Sequence, residues 1–182
     1  FNILPEHIVV GNGAAELINS FCSMVTGKTA IPYPTFNEYP ARFCNSETVE
    51  IPVNRDTFEY TVEDILKVVD AENANNVLLI NPDNPTGHFL KKEDVFKLLD
   101  KLKERNVQLI FDESFIDFAE KDIRYTLIDE AIITKYPNLV IIKSISKSYG
   151  VPGLRLGILV NQDAALIDKV AKVIFSFCNC KL

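Results

Sequence analysis

A chain of 182 residues, 47% hydrophobic and 24% charged with a net charge of −6, has the length and make-up of one globular domain, which excludes collagen-like and disordered classes. Its longest apolar runs, residues 139–142 and 156–160, are far short of the roughly 20 residues that a bilayer-spanning helix requires. An acidic balance with no basic cluster argues against nucleic acid and leaves a small molecule or another protein as the expected partner.

In chain order, residues 7–10 read as a first strand, followed by the turn Gly11-Asn12-Gly13 and a helix over 14–25. A second strand is expected at 49–53. Thr61 can then N-cap a helix over 62–69, whose Ile65, Val68 and Val69 form an apolar stripe. Residues 77–80 make a third strand with a turn-rich run behind it. In 91–105, Val95, Leu98, Leu99 and Leu102 recur at i, i+3, i+4 and i+7 opposite Lys, Glu and Asp, the pattern of a helix lying on a sheet. Two nearly all-apolar runs, 107–111 and 139–143, suit strands covered on both faces and are expected at the sheet centre. Residues 156–160 and 163–173 complete the pattern as a strand and a helix.

This alternation predicts an α/β fold, a mainly parallel central sheet covered by helices on both faces. Residues 1–174 are read as one domain and 175–182 as an irregular tail. Cysteines at 22, 44, 178 and 180 lack paired C-x-x-C spacing, so reduced thiols in a cytoplasmic setting are expected, with no metal and no disulfide framework. The chain opens on Phe1 with no basic-then-apolar leader, so we expect a segment of a longer protein.

Polar, turn-rich clusters follow four of the strands: 11–13, 81–87, 112–113 and 144–147. Strand C-termini of an open parallel sheet share one edge, where ligands bind, so these clusters are expected to converge on one crevice. The run Lys143-Ser144-Ile145-Ser146-Lys147 leads into Ser148-Tyr149-Gly150-Val151-Pro152-Gly153-Leu154-Arg155-Leu156-Gly157. A lysine at a strand end of low dielectric can lose its proton and condense with an aldehyde, while hydroxyls and an arginine suit a phosphate. In Asn81-Pro82-Asp83-Asn84-Pro85-Thr86-Gly87, prolines stiffen a loop that presents the Asn84 amide as a donor. Asp112 opens Asp112-Glu113-Ser114-Phe115 directly after an apolar strand. Gly11-Asn12-Gly13-Ala14-Ala15-Glu16 begins like a dinucleotide fingerprint, but Glu16 stands where a small residue is needed.

Together these motifs resemble the pyridoxal-phosphate (PLP) enzymes of the aspartate aminotransferase superfamily, fold type I. The matching patterns are S-x-S-K with G-x-x-G-x-R-x-G, N-P-x-N-P-T-G, D-E-x-[YF], G-x-G-[SA]-x-[E] and, at Tyr33-Pro34-Thr35-Phe36, an aromatic segment. They occur in the family's order from about residue 10 to residue 161. The resemblance implies that Lys147 forms a Schiff base with the cofactor and that Asp112 pairs with its pyridine nitrogen. It further implies that Asn84 donates to the phenolate oxygen and Phe36 covers the ring, while Ala14, Ala15, Ser144, Ser146 and Arg155 cup the phosphate. Phe115 departs from the tyrosine common in aminotransferases, which leaves Asn84 to make the phenolate contact alone. His7 and His88 match no catalytic position and are expected to be surface or structural residues.

Within the superfamily the chain looks most like the histidinol-phosphate aminotransferase group, and residues 112–118 are similar to threonine-phosphate decarboxylase. The implied activity is amino-group transfer between an amino acid and a 2-oxo acid. The alternatives are amino-acid decarboxylation or a catalytically inactive PLP-fold interaction domain. Complete members also carry an N-terminal arm and a C-terminal small domain and form homodimers. The expectation for these 182 residues is therefore a large-domain fragment of weak or no turnover.

Overall fold

Period-two burial builds the sheet. In strand after strand, alternate apolar side chains enter opposite cores. Val77, Leu79, Leu109, Phe111, Leu139 and Ile141 face one, and Leu78, Ile80, Ile110, Val140 and Ile142 face the other. A computed structural model describes residues 1–119 and 125–179, with the backbone alone for 176–179. The strands are β1 (Ile8–Asn12), β2 (Gly27–Pro32), β3 (Ser46–Ile51), β4 (Asn76–Ile80), β5 (Gln108–Asp112), β6 (Leu139–Ser144) and β7 (Leu156–Val160). They form one sheet in the order β1-β7-β6-β5-β4-β2-β3. The two all-apolar runs expected at the centre are β5 and β6, at the middle of that order and next to it.

Helices cover both faces. Beneath the first core lie α3 (Val62–Glu72), α4 (Lys92–Glu104) and α5 (Glu130–Lys135); on the second lie α1 (Ala14–Cys22), α2 (Glu38–Arg42) and α7 (Ala164–Asn179). A single turn, α6 (Ile145–Ser148), follows β6. The expected cap on α3 is present as a full capping box, with Asp64 N–H donating to Thr61 Oγ1 and Thr61 N–H to Asp64 Oδ2. The stripe expected on α4 is buried at Val95, Leu98, Leu99 and Leu102. Among the described residues no helix is long and apolar enough to cross a membrane.

β2 and the tail differ from the sequence expectations, and the mainly parallel sheet stands with one strand reversed. β2 is a strand that local composition does not announce, because Gly27, Lys28 and Pro32 give a short apolar run the character of a loop. It is nonetheless paired on both sides, by β3 and β4. The sheet is mixed: β7 runs antiparallel to both its neighbours, β1 and β6, while the remaining pairings are parallel. The tail expected to be irregular from Phe175 continues α7 as helix to Asn179, since no Gly or Pro interrupts it and each added residue gains a backbone hydrogen bond. Residues 180–182 lie outside the described residues.

The reversal of β7 decides where Arg155 stands. β1, β4, β5 and β6 all end at one edge of the sheet. β7 begins there, so Arg155, the residue before it, arrives at the same edge as the strand-end clusters.

Candidate active site

Gly13 caps α1 with a left-handed backbone, φ 80°, that a side chain would strain. This turns the chain from β1 into the helix so that the first N–H groups, those of Ala14 and Ala15 among them, face the sheet edge unpaired within the helix. Glu16 Oε2 accepts from Asn12 N–H at 2.7 Å and closes the turn from behind. That bond explains the glutamate that spoils a dinucleotide fingerprint. A Cβ on Gly157 would lie 2.4 Å from Ala14 N and 2.5 Å from the carbonyl carbon of Gly13, so the start of β7 is pressed directly on the start of α1. Arg155, itself left-handed at φ 47°, lays its guanidinium against Gly13. Ser146 Oγ accepts from Leu156 N–H at 2.7 Å and keeps its own proton for another acceptor. Helix N–H groups, a guanidinium and serine hydroxyls thus gather at one end of the site, the donor set of an anion cradle.

At the other end, Asp112 finishes β5 and is 4% exposed. Its Oδ1 accepts from Ser114 N–H at 2.8 Å and its Oδ2 from Tyr39 Oη–H at 2.7 Å. Burial, then the charge of Asp112, push the Tyr39 phenol well above its ordinary range, so it stays protonated and donates. Sequence reasoning missed Tyr39: its spacing from Phe36 says nothing about a strand more than 70 residues further on.

Asn84 sits in a loop fixed at both ends. Asn81 exchanges two hydrogen bonds with Leu90, Nδ2 donating to the carbonyl at 2.9 Å and Oδ1 accepting from the amide at 2.8 Å. Asp83 Oδ1 accepts from Asn84 N–H at 2.9 Å, and its Oδ2 from Thr86 Oγ1–H at 2.5 Å. Burial still raises the Asp83 carboxyl above its ordinary value, because those donors offset only part of the desolvation. His88 Nε2 contacts the Tyr60 carbonyl at 3.0 Å, and His7 Nδ1 contacts Glu130 Oε1 at 2.8 Å. Both histidines are structural, as expected.

Lys147 stands on α6 with Nζ 4.2 Å from the Phe115 ring centroid and 5.9 Å from that of Phe36. Among the described residues it has no carboxylate partner. It lies between two aromatic faces that attract a cation weakly.

A single cavity of about 180 Å³ is lined by every residue singled out from the sequence: Ala14, Ala15, Phe36, Asn84, Asp112, Ser144, Ser146, Lys147 and Arg155. Gly13, Ile18, Ile80, Ser114 and Phe115 complete its wall. Ser114 is a further residue the sequence did not flag; its Oγ accepts from Ser144 N–H at 3.0 Å and ties the ends of β5 and β6 together. A wider cleft of about 400 Å³ adjoins across Asn84 and Phe115, with Phe89 and Phe118 on its walls. The arrangement offers an anion cradle, two aromatic faces, a buried carboxylate and an amine around one space.

A family model described as aminotransferase class I and II matches residues 2–181. The chain belongs to that family. It is a family of PLP-dependent enzymes, and each motif that pointed to it places at least one residue in the cavity wall. This aminotransferase-family chain is 36% identical over 173 residues to an L-serine phosphate decarboxylase of Sulfurospirillum multivorans, an alignment covering 92% of it and 43% of the relative. It is 37% identical to a histidinol-phosphate aminotransferase of Leuconostoc citreum, covering 87% and 45%. The crystal structure of L-threonine-O-3-phosphate decarboxylase from Porphyromonas gingivalis superposes with a TM-score of 0.74 at 27% identity, over 94% of this chain and 51% of that one. The chain spans just under half the length of the curated relatives it matches.

Proposed function

We propose that this chain is the cofactor-binding part of a PLP-dependent aminotransferase. The observation that carries the reading is the convergence of Lys147 and Asp112, from the ends of different strands, on one cavity with an anion cradle at its far end. That donor set fits the cofactor. Lys147 Nζ would hold the aldehyde carbon, and Phe36 and Phe115 would bracket the ring. Asn84 would donate to the phenolate oxygen, and Ala14, Ala15, Ser144, Ser146 and Arg155 would receive the phosphate. When bound, the pyridine ring supplies an electron sink for charge that develops at an amino acid's Cα. Asp112, fixed by Tyr39 and Ser114, would favour a proton on the ring nitrogen. Lys147 Nζ would take the Cα proton of the substrate as general base and give it back as general acid.

The similarity to an L-serine phosphate decarboxylase supports a second reading. In it the Cα–carboxylate bond breaks, and Lys147 Nζ delivers a proton to Cα. The two readings differ in which bond at Cα is aligned with the π system, which residues around the ring do not decide. In either, we assign the activity to the longer parent protein, as a cytoplasmic homodimer acting on an amino acid and, for the aminotransferase, a 2-oxo acid.

The test mixes the protein with PLP, records its visible spectrum, reduces with borohydride and maps the modified peptide. An adduct on Lys147 is expected, and Lys147→Ala should lose the visible band altogether. An unmodified chain, or label scattered over surface lysines, would count against the reading. Assaying the full-length parent for keto acid against carbon dioxide release separates aminotransfer from decarboxylation.

A further inference from the structure

Lys143, next to last in β6, is 1% exposed, in a place where an uncompensated ammonium is costly. Two carboxylates converge on it. Asp117 Oδ2 lies 2.6 Å from Nζ and Glu113 Oε1 3.5 Å from it, and Nζ also donates to the Glu113 carbonyl at 3.4 Å. Glu113 is fully buried and accepts further bonds from Thr126 Oγ1–H at 2.5 Å and Leu127 N–H at 2.9 Å. Ser148 Oγ–H donates to the Ser144 carbonyl at 3.4 Å and closes the turn that bears Lys147. The carboxylate of Asp117 therefore grips residue 143, four residues before Lys147. Ser114 Oγ holds Ser144 N–H between them.

We infer that Lys143 is a positioning residue: by binding Asp117 and Glu113 it locks the segment bearing Asp112 and Phe115 to the segment bearing Lys147, and so sets where the Lys147 amine stands. The two segments come from different strands, and among the described residues the last backbone bond between them is Glu113 N–H donating to the Ile142 carbonyl at 2.9 Å. Past that bond, described side chains carry the link: Lys143 with Glu113 and Asp117, and Ser114 with Ser144. The 4.2 Å approach of Lys147 Nζ to the Phe115 ring depends on both segments keeping that alignment. A lysine serving only stability could be replaced by a packed hydrophobe without loss. Here its charge has a geometric task.

The inference rests on the PLP reading for its functional consequence, so the experiment has two arms. In the first, backbone hydrogen exchange of the cofactor-free chain is compared for wild type, Lys143→Met, Lys143→Arg and Asp117→Asn. Asp117 is 45% exposed, so its variant keeps the fold even where Lys143→Met does not. Residues 113–118 and 144–149 should exchange faster together in Asp117→Asn and Lys143→Met, while α4 is unchanged and Lys143→Arg restores both segments. In the second arm, PLP is titrated against the visible band and trapped with borohydride. Both disrupting variants should need about tenfold more PLP for half-saturation and show a shifted band, and Lys143→Arg should recover the wild-type spectrum. Wild-type exchange and spectra in Asp117→Asn would overturn the inference, as would a Lys143→Arg that behaves like Lys143→Met. If wild type forms no adduct on Lys147, the PLP reading fails and the exchange arm alone decides whether Lys143 couples the two segments.

Discussion

The acid of the site is held by a residue that no motif announces. Asp112 is legible in the sequence because an apolar strand runs into a carboxylate, whereas Tyr39, which donates to its Oδ2, comes from a different element on the same face of the sheet. Tyr39→Phe leaves one buried carboxylate oxygen without its donor, and the free energy of unfolding should fall by about 1–3 kcal/mol in a urea titration. Gly157 is readable as a motif glycine, but its reason is spatial: β7 meets α1 at a distance no Cβ permits. Gly157→Ala must push strand from helix, with an expected cost of about 1–3 kcal/mol and weaker retention of PLP or free phosphate, measured by equilibrium binding. Lys143 stands in the lysine run with no task that the run itself reveals. Its partners lie across a strand boundary, where local spacing carries no information.

At the level of elements, patterns that repeat within one segment are legible in the sequence and those that depend on neighbours are not. The α4 stripe and the Thr61 cap are local, and both are present as expected. The cap also gives a signed pH dependence. Hydrogen bonds from the Thr61 side chain and then its backbone hold the Asp64 carboxyl below the ordinary value of 3.8. The stability it lends is present above that value and lost as pH falls through the depressed one. Thr61→Ala should cost about 1 kcal/mol near neutral pH, and the difference in urea midpoint from wild type should shrink in acid below the Asp64 titration. β2 escapes notice because only its pairing with β3 and β4 makes a strand of a segment bounded by Gly27 and Pro32. The direction of β7 is equally hidden, since side-chain alternation is the same for a strand running either way.

For the molecule as a whole, order along the chain is a good guide to the site and a poor guide to the sheet. Clusters separated by scores of residues share one cavity because β1, β4, β5 and β6 end together. The one antiparallel neighbour of β6 has its own consequence. Every other passage between adjoining parallel strands must travel the length of the sheet, but residues 145–155 leave β6 and enter β7 at the same rim. Tyr149 and Leu154 stand out on that excursion at 67% and 70% exposure. Chymotrypsin should nick it, and the two pieces should stay together under native conditions, zipped by the ladder from Ile141–Val160 to Ser144–Gly157, with circular dichroism unchanged. Such a cut would break the covalent path from Lys147 to Arg155 without unthreading a single crossover. The pocket's two cations sit at the two roots of one loop, so a single cut would loosen their spacing while the scaffold stands.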